Sequence, residues 1–370
     1  MAKSVLRRAL KSISLSITIF LVVVFLICCL SPYINPADWW FFGFTGLIVP
    51  YLILLLFFAV IFWLIVKPIF VWIPLICLCF GWQQIEVAFA WHAGSGFSKK
   101  KQPKNVRIID WNVRSFNGLS KNAESKRLVR NEISEIILKM QADIVCLQEF
   151  NNSSQREYAD NISLFTKAFP YYYFSRDYLR NNGSYQSGSI IFSKYPIIDS
   201  GKTKFPVGES LIYTDIQKGD DTIRVFTTHM QSFKFNKEDY ADIEKIKGQE
   251  DETVTASKNI FLKMKRAFER RGIQSDIVRN QRDLNNLPAV IAGDFNDVPN
   301  SHTYFNIKGN WQDCFLKKDF GIGRTYLSLA PTLRIDYILA DPRFVVKQFD
   351  MVDEDLSDHM MLVTDLRLVK

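Results

Sequence analysis

The chain changes its hydrophobic rhythm near residue 100. Before that point apolar residues come in long runs, Ser12–Leu30, Trp39–Val66 and Pro68–Ile85, the last interrupted by Pro74. A helix needs about 20 apolar residues to cross a bilayer, and about 17 can suffice. The first two runs meet that length and the third is marginal. The pattern predicts three transmembrane helices, with the third run open to a second reading as a re-entrant or buried hairpin segment. Trp39, Trp40, Trp82 and Trp91 fall near the run ends, where interfacial aromatics belong. A cleaved signal peptide led by Lys3, Arg7, Arg8 and Lys11 is the weaker reading. The first run exceeds the usual length of roughly 7–15 residues, and further apolar runs follow it.

After residue 105 the runs are short and separated by turns and charged stretches. Val106–Trp111, Asp143–Leu147, Ser189–Phe192, Leu211–Ile216, Thr222–Thr228, Ala289–Ala292, Ile335–Leu339 and Met361–Leu366 read as strands. Glu124–Met140 reads as a helix, with Leu128, Ile133, Ile136, Ile137 and Met140 on one face, and Lys258–Asn286 as a charged, mostly helical stretch. Several strands follow one another directly. That argues for sheets packed together and covered by helices rather than a purely parallel βαβ fold. The pattern divides the chain into a membrane anchor (1–96), a basic linker (97–105) and a soluble domain (106–370).

Charge sharpens this division. Up to Lys104 there are nine Lys/Arg and two acids, which leaves 37 basic and 36 acidic residues in the remainder. The soluble part is therefore close to neutral, which disfavours tight DNA binding, since such affinity rests on Lys/Arg neutralising phosphates. The basic amino-terminal cluster favours a cytoplasmic start, and three crossings then place the domain outside the cytoplasm. Lys99, Lys100, Lys101 and Lys104 pull the other way, because in sequence they follow the last run closely. Only Cys146 and Cys314 lie in the soluble part, and no CxxC pair occurs there. A disulfide framework and a structural zinc site are poor readings of that pattern.

Polar residues recur at strand ends. Asn112 closes the first soluble strand, Gln148-Glu149 the second, His229 a later one, and Asp294-Phe295-Asn296 follows Val290–Gly293. Asp336 lies inside Arg334–Ile338, and Ser357-Asp358-His359 precedes the last strand. Each alone has a blander reading: a turn or helix cap for the acids, an Asx turn for Asn112, a satisfied half-buried histidine for His229. His302, at a helix start in Asn300-Ser301-His302, reads as a surface residue. The combination is what changes the odds. Mg²⁺ prefers hard oxygen ligands and needs only one or two carboxylates beside substrate oxygens and water. Glu149, Asp294, Asn296 and Asp358 supply such oxygens, and His229 and His359 add imidazoles for phosphate stabilisation and proton transfer.

This ordered set resembles the endonuclease/exonuclease/phosphatase superfamily. It comprises Asp110–Arg114, Asp143–Glu149, Gly188–Ile197, Thr228-His229, Gly293–Asp297, Arg334–Ile338 and Ser357–His359. The resemblance runs from about Val106 to the end of the chain. The membrane part and the Gly321–Tyr326 turn look similar to a branch of bacterial membrane proteins. The resemblance implies a four-layered α/β sandwich, two packed sheets flanked by helices. It also implies roles. Glu149 would be the principal Mg²⁺ ligand (Mn²⁺ being an alternative ion), with Asn112 beside it at the metal or phosphate. Asp294 would orient or deprotonate the attacking water, and Asn296 would bind a phosphoryl oxygen. His229 would stabilise the phosphate, and Asp358 would complete the metal or hydrogen-bond network. His359, oriented by Asp336, would contact the scissile phosphate. Acid–base assignment between Asp294 and His359 stays open. One departure is a long charged insert between His229 and Asp294, whose acids dilute the positive charge that a DNA-cutting loop would carry.

The expected activity is hydrolysis of a phosphate ester at the bilayer, a lipid head group or a small ester. A membrane-tethered nuclease is the alternative, and an inactive protein retaining the fold stands behind both. On this reading the Lys99–Lys104 cluster would lie near anionic head groups.

Overall fold

The computed structural model describes residues 2–92, 96–117, 120, 122–155, 159–248 and 253–369. Two apolar helices lead the chain, α1 (Ala2–Cys28) and α2 (Phe41–Val66), and both are long and apolar enough to cross a membrane. The third run is a bent pair, α3 (Trp72–Phe80) and α4 (Trp82–Ala88), with 67° between Pro68–Phe80 and Trp82–Ala88. The apolar region thus has two continuous helices long enough to span a membrane, and a third candidate only if the bent pair counts as one. Pro74 falls in the first turn of α3, where its missing N–H removes no helical bond. Inside the bundle, Phe25 and Cys28 of α1 pack with Val49, Leu52 and Leu56 of α2 and Cys77 of α3. Trp63 is buried and donates its indole N–H to Thr18 Oγ1 at 2.9 Å, which satisfies both groups away from water. Leu54, Phe57, Phe58, Ile61 and Ile65 face outward, as a lipid-facing surface requires.

The strands, in chain order, are β1 (Ala90–Trp91), β2 (Val106–Asn112), β3 (Ile144–Ser153), β4 (Tyr171–Phe174), β5 (Tyr178–Arg180), β6 (Tyr185–Ser193), β7 (Ile197–Lys204) and β8 (Ser210–Lys218). They continue with β9 (Asp221–His229), β10 (Ala289–Asp294), β11 (Gln312–Asp313), β12 (Phe320–Gly321), β13 (Asp336–Ala340), β14 (Phe344–Val352) and β15 (Met361–Leu368). One sheet has the order β14-β15-β2-β3-β6-β4, with β5 also on β6; the other runs β11-β13-β10-β9-β8-β7. The period-two alternation of β2 explains the layering. Ile108 points between the sheets, where Ile144, Cys146 and Ile191 meet Ile212, Val225, Val290 and Ile338. Ile109 points outward, with Trp111, Val145 and Leu147, onto Ile133 and Ile137 of the Ala123–Lys139 helix. On the far side Leu211, Phe226, Ile291 and Leu339 pack with Val278 of the Thr253–Asp283 helix and with Tyr304 and Ile307. The result is the expected four-layered sandwich. Every strand foreseen in the sequence is present, and β7, β14 and several short edge strands are added to them.

The charged insert docks the sandwich to the anchor. Phe261 and Phe268 of the Thr253–Asp283 helix pack on Phe44 of α2, with ring centroids 5.2 and 4.9 Å away. Gly43 makes this approach possible, since a Cβ there would sit 2.4 Å from the Phe268 side chain. Asn35 donates to Asp276 at 2.8 Å, Ser31 to the Asn300 carbonyl at 2.8 Å, and Asn300 to Gln84 Oε1 of α4 at 2.8 Å. These contacts bury His302, whose neighbours Asn300 and Ser301 lie under the α1–α2 turn; the expectation of a surface histidine is corrected. Ser301 does cap the His302–Lys308 helix, accepting from the Tyr304 N–H. Residues 249–252, which hold three of the acids of the insert, lie outside the described residues.

The basic linker packs against the sandwich. Buried Arg107 donates to Asp365 at 2.7 and 3.0 Å and to the carbonyls of Ser98 and Lys99, and Lys101 pairs with Asp143. Lys99–Lys104 is therefore held at the Val106 and Asp143 ends of β2 and β3, while Asn112 and Glu149 occupy the opposite ends, about 20 Å away. The expectation that this cluster would meet lipid head groups is not tested by this packing, which fixes only its place at that end of the strands.

Candidate active site

Strand register assembles the site. β9 and β10 pair in parallel with Asp294 opposite His229, and β10 and β13 pair antiparallel with Asp294 opposite Asp336. Three titratable groups thus share one rung. Gly293 allows the strands to close there, since a Cβ would lie 2.3 Å from the Thr228 carbonyl oxygen. In the other sheet β2 and β3 pair in parallel with Asn112 opposite Gln148. The register of β3 against β6 shifts between Leu147 and Phe150, and Glu149 sits on that irregularity with φ 49°. A bulge of this kind re-aims a side chain, here into the cleft between the sheet ends.

The polar groups form a continuous row. Glu209 Oε1 accepts from His229 Nδ1 at 3.0 Å, and His229 Nε2 lies 3.5 Å from Asp294 Oδ2. On the other side His359 Nε2 lies 3.9 Å from the same Asp294 oxygen, and His359 Nδ1 donates to Asp336 Oδ2 at 3.0 Å. Asp294 is fixed between them by the Asn112 amide at 3.0 Å and by the Asn296 backbone N–H at 2.8 Å. Asn296 has φ 54°, which turns its backbone N–H onto Asp294, and its side chain donates to the Met230 carbonyl at 3.0 Å. Asp336 is held at its backbone N–H by Thr325 Oγ1 at 3.1 Å, and the His359 carbonyl accepts from the Trp111 indole at 2.8 Å.

Electrostatics follows the geometry. Burial opposes protonation of His229, but Glu209 and then Asp294 outweigh it and raise the group to about 10. Burial likewise opposes protonation of His359, and Asp336 and Asp294 raise it to about 10. Burial and the neighbouring Asp336 push Asp294 up to about 6, against the pull of His359, His229 and the Asn112 hydrogen bond. Two imidazolium groups, each backed by a carboxylate, therefore face one carboxylate.

Asp294, Asp336 and His359 offer ligand atoms within 4.8 Å of one another, a spacing that could hold a cation. Asp336 and His359 already satisfy each other, however, and hard cations prefer oxygen donors. The better seat is Glu149. Its carboxylate faces the cleft, its contact with the Asn112 amide is long at 3.4 Å, and among the described residues no basic side chain lies within salt-bridge distance of it. Asn112 Oδ1 accepts from the Arg114 N–H at 3.0 Å, so the visible work of Asn112 is to tie Glu149 to Asp294. Asp358 lines the same cleft and faces Arg114 at 3.5 Å.

The structure thus brings six of the residues singled out in the sequence, Glu149, His229, Asp294, Asn296, Asp358 and His359, to one cleft of about 600 Å³, with Asn112 directly behind Glu149 and Asp294, and Asp336 behind His359. It adds others. Glu209 backs His229 from the turn before β8 and follows no strand end. Arg114 stands in a left-handed turn (φ 44°) at the mouth. Tyr326 lies against the His359 ring at 4.9 Å and bridges to its backbone.

A family model described as the endonuclease/exonuclease/phosphatase family matches residues 111–359, and the chain belongs to that family. A second model, for a domain of unknown function, matches residues 11–88. Among solved structures, the human Nocturnin catalytic domain with bound sulfate is similar at 16% identity and a TM-score of 0.51, over 72% of this chain and 94% of that one. An endonuclease/exonuclease/phosphatase from Beutenbergia cavernae is similar at 18% identity and a TM-score of 0.50, over 72% of each chain. These likenesses concern the fold. No curated protein matches by sequence.

Proposed function

We propose that this protein is a membrane-anchored, divalent-metal-dependent phosphoesterase, with Mg²⁺ as the expected ion and Mn²⁺ as its substitute. The observation that carries the reading is the row Glu209–His229–Asp294–His359–Asp336 beside the unpaired carboxylate of Glu149. Glu149 would hold the metal, with Asp358 and Asn112 next to it, and the bound cation would polarise the phosphoryl oxygens. Asp294, kept in one orientation by Asn112 and Asn296, accepts a hydrogen bond from the attacking water and receives its proton. The water oxygen forms the new P–O bond as the bond to the leaving oxygen breaks. His359, protonated and oriented by Asp336, donates the proton that the leaving oxygen takes. His229 and the Asn296 amide neutralise and orient the remaining phosphoryl oxygens.

Charge favours a small or lipid ester over nucleic acid. Apart from histidine, the only basic side chains among the described cleft-lining residues are Arg114 and Lys234, and Arg114 already faces Asp358. That is a thin footprint for a DNA-binding site. A decayed, inactive protein is disfavoured by the completeness of the polar set.

Charge also supports an orientation. The Trp63–Thr18 bond sets the end of α2 beside the middle of α1, so Lys67 is on the same side, remote from the sandwich, as Arg7, Arg8 and Lys11. With Lys99–Lys104 held at the far ends of β2 and β3, the positive-inside rule points one way. The catalytic domain lies outside the cytoplasm, on a bacterial cytoplasmic membrane.

The test is hydrolysis of bis(4-nitrophenyl) phosphate by the full chain in nanodiscs, with Mg²⁺, Mn²⁺ or EDTA, beside Glu149→Gln. Metal-dependent turnover that falls by about 100-fold or more in the variant is expected. Equal turnover in both would sink the assignment of Glu149.

A further inference from the structure

The cleft is not walled by the sandwich alone. Leu47, in the second turn of α2, lines it together with Val298, Leu329 and Leu333. A membrane-spanning helix therefore contributes directly to the catalytic cavity. Its height can be read from the helix. From Leu47 to Val66 is about 20 residues, or about 30 Å of helix, the thickness of a bilayer hydrocarbon core. Lys67 marks one face of that core, and Leu47 then stands at the other.

The Leu327–Leu333 loop reaches further down. Thr332 Oγ1 lies 3.5 Å from the hydroxyl of Tyr51, one helical turn deeper along α2 than Leu47. In the same region Leu329 is 37% exposed and Ile322 42% exposed. In water those side chains would stand bare beside a spanning helix. With α2 spanning a bilayer at that height, acyl chains would cover them, as on a segment that inserts into the membrane interface. The polar floor of the cleft and its apolar flank are continuous, and on that placement the flank would end at hydrocarbon.

We propose that the cleft is fed laterally from the leaflet it stands on. The substrate is then an amphiphilic phosphoester whose phosphate reaches the Glu149–His359 floor while its tail stays in the leaflet along Leu47 and Leu329. This rests on the phosphoesterase reading above and specifies its substrate class.

Two probes with the same leaving group separate the claims: bis(4-nitrophenyl) phosphate in solution, and the 4-nitrophenyl phosphodiester of dipalmitoyl glycerol in nanodiscs of phosphatidylglycerol and phosphatidylcholine. The full chain is assayed beside Leu329→Asp and Leu329→Phe. Wild type hydrolyses the lipid probe. In Leu329→Asp the turnover ratio of lipid to soluble probe falls by about tenfold, the loss expected when one buried leucine contact is replaced by a charge, and Leu329→Phe restores it. An unchanged ratio in Leu329→Asp, or wild-type hydrolysis of the soluble probe alone, overturns lateral access. Inactivity on both probes with metal present instead removes the phosphoesterase reading, and this one with it. A bimane label on Leu329→Cys, measured against the unmutated chain, reports depth without activity. Quenching by brominated acyl chains is expected, and its absence overturns the placement of the loop.

Discussion

Asp294 carries more dependencies than any other side chain in the cleft. It faces two imidazoles, accepts from Asn112 and Asn296, and comes into register with His229 and Asp336 through β10. The two carboxylates that back the histidines, Asp336 and Glu209, can be tested separately. Asp336→Asn leaves the size of the side chain but removes the charge that orients and protonates His359. Turnover is expected to fall by about 100-fold, with a change in the alkaline limb of the pH–rate profile; an unchanged rate and profile would make the pair structural. Glu209 gives a stability prediction. Its charge helps raise His229 from 6.5 to about 10, so the pair stabilises the fold fully below about 6.5 and loses that contribution as pH rises through about 10. In EDTA the melting temperature should decline across that interval, and Glu209→Gln should flatten the decline; parallel curves would count against it. The strand-end residues were legible because a buried run closing on a polar residue is visible in one dimension. Glu209 was not. It lies in the turn after Gly208 and reaches His229 only through the pairing of β8 with β9, where Leu211 stands opposite Thr228.

At the scale of elements, two irregularities do as much as the regular strands. The displaced register of β3 presents Glu149, and the Thr253–Asp283 helix binds the sandwich to α2. Gly43→Leu should force the two helices apart at Phe268, lowering stability by about 1–3 kcal/mol, read as a lower melting temperature in detergent. Gly43→Ala should cost less, and a wild-type melting point in both would show that the contact bears no strain. Physical pattern also explains which elements the sequence revealed. β2, β3, β10 and β13 are buried on both faces, so they stand out as apolar runs. β7 is an edge strand with mostly exposed or half-exposed positions, and it carries no such mark. β14 alternates buried and exposed positions up to the register shift between Val346 and Gln348, but Phe344, Val345 and Val346 are all apolar, so its period does not show in the residue types. The long charged helix was legible as a helix, yet its docking role was not. That role rests on Phe261 and Phe268, two residues among many charges, meeting Phe44 from a segment far away in sequence.

The whole molecule is less divisible than its sequence. The linker at 97–105 separates two compositions, while in space α2, α4 and β1 all touch the sandwich, β1 by pairing with β12. A fragment beginning at Val106 would expose Phe261, Phe268 and Val298, and is expected to melt lower or aggregate relative to the full chain. Equal stability would show the contact to be incidental. Orientation is a property of this scale too. Protease added outside intact cells or spheroplasts should degrade the sandwich, and protection would reverse the proposed topology. Because Leu47 belongs both to α2 and to the cleft wall, the proposed anchoring gives the site a fixed altitude over the lipid and no free tether to swing on. On the lateral-access proposal, the enzyme then meets its substrate in two dimensions. Its velocity should then follow the mole fraction of substrate within the lamella, and diluting that lamella with inert lipid should slow it even when the total amount of substrate in the tube is unchanged.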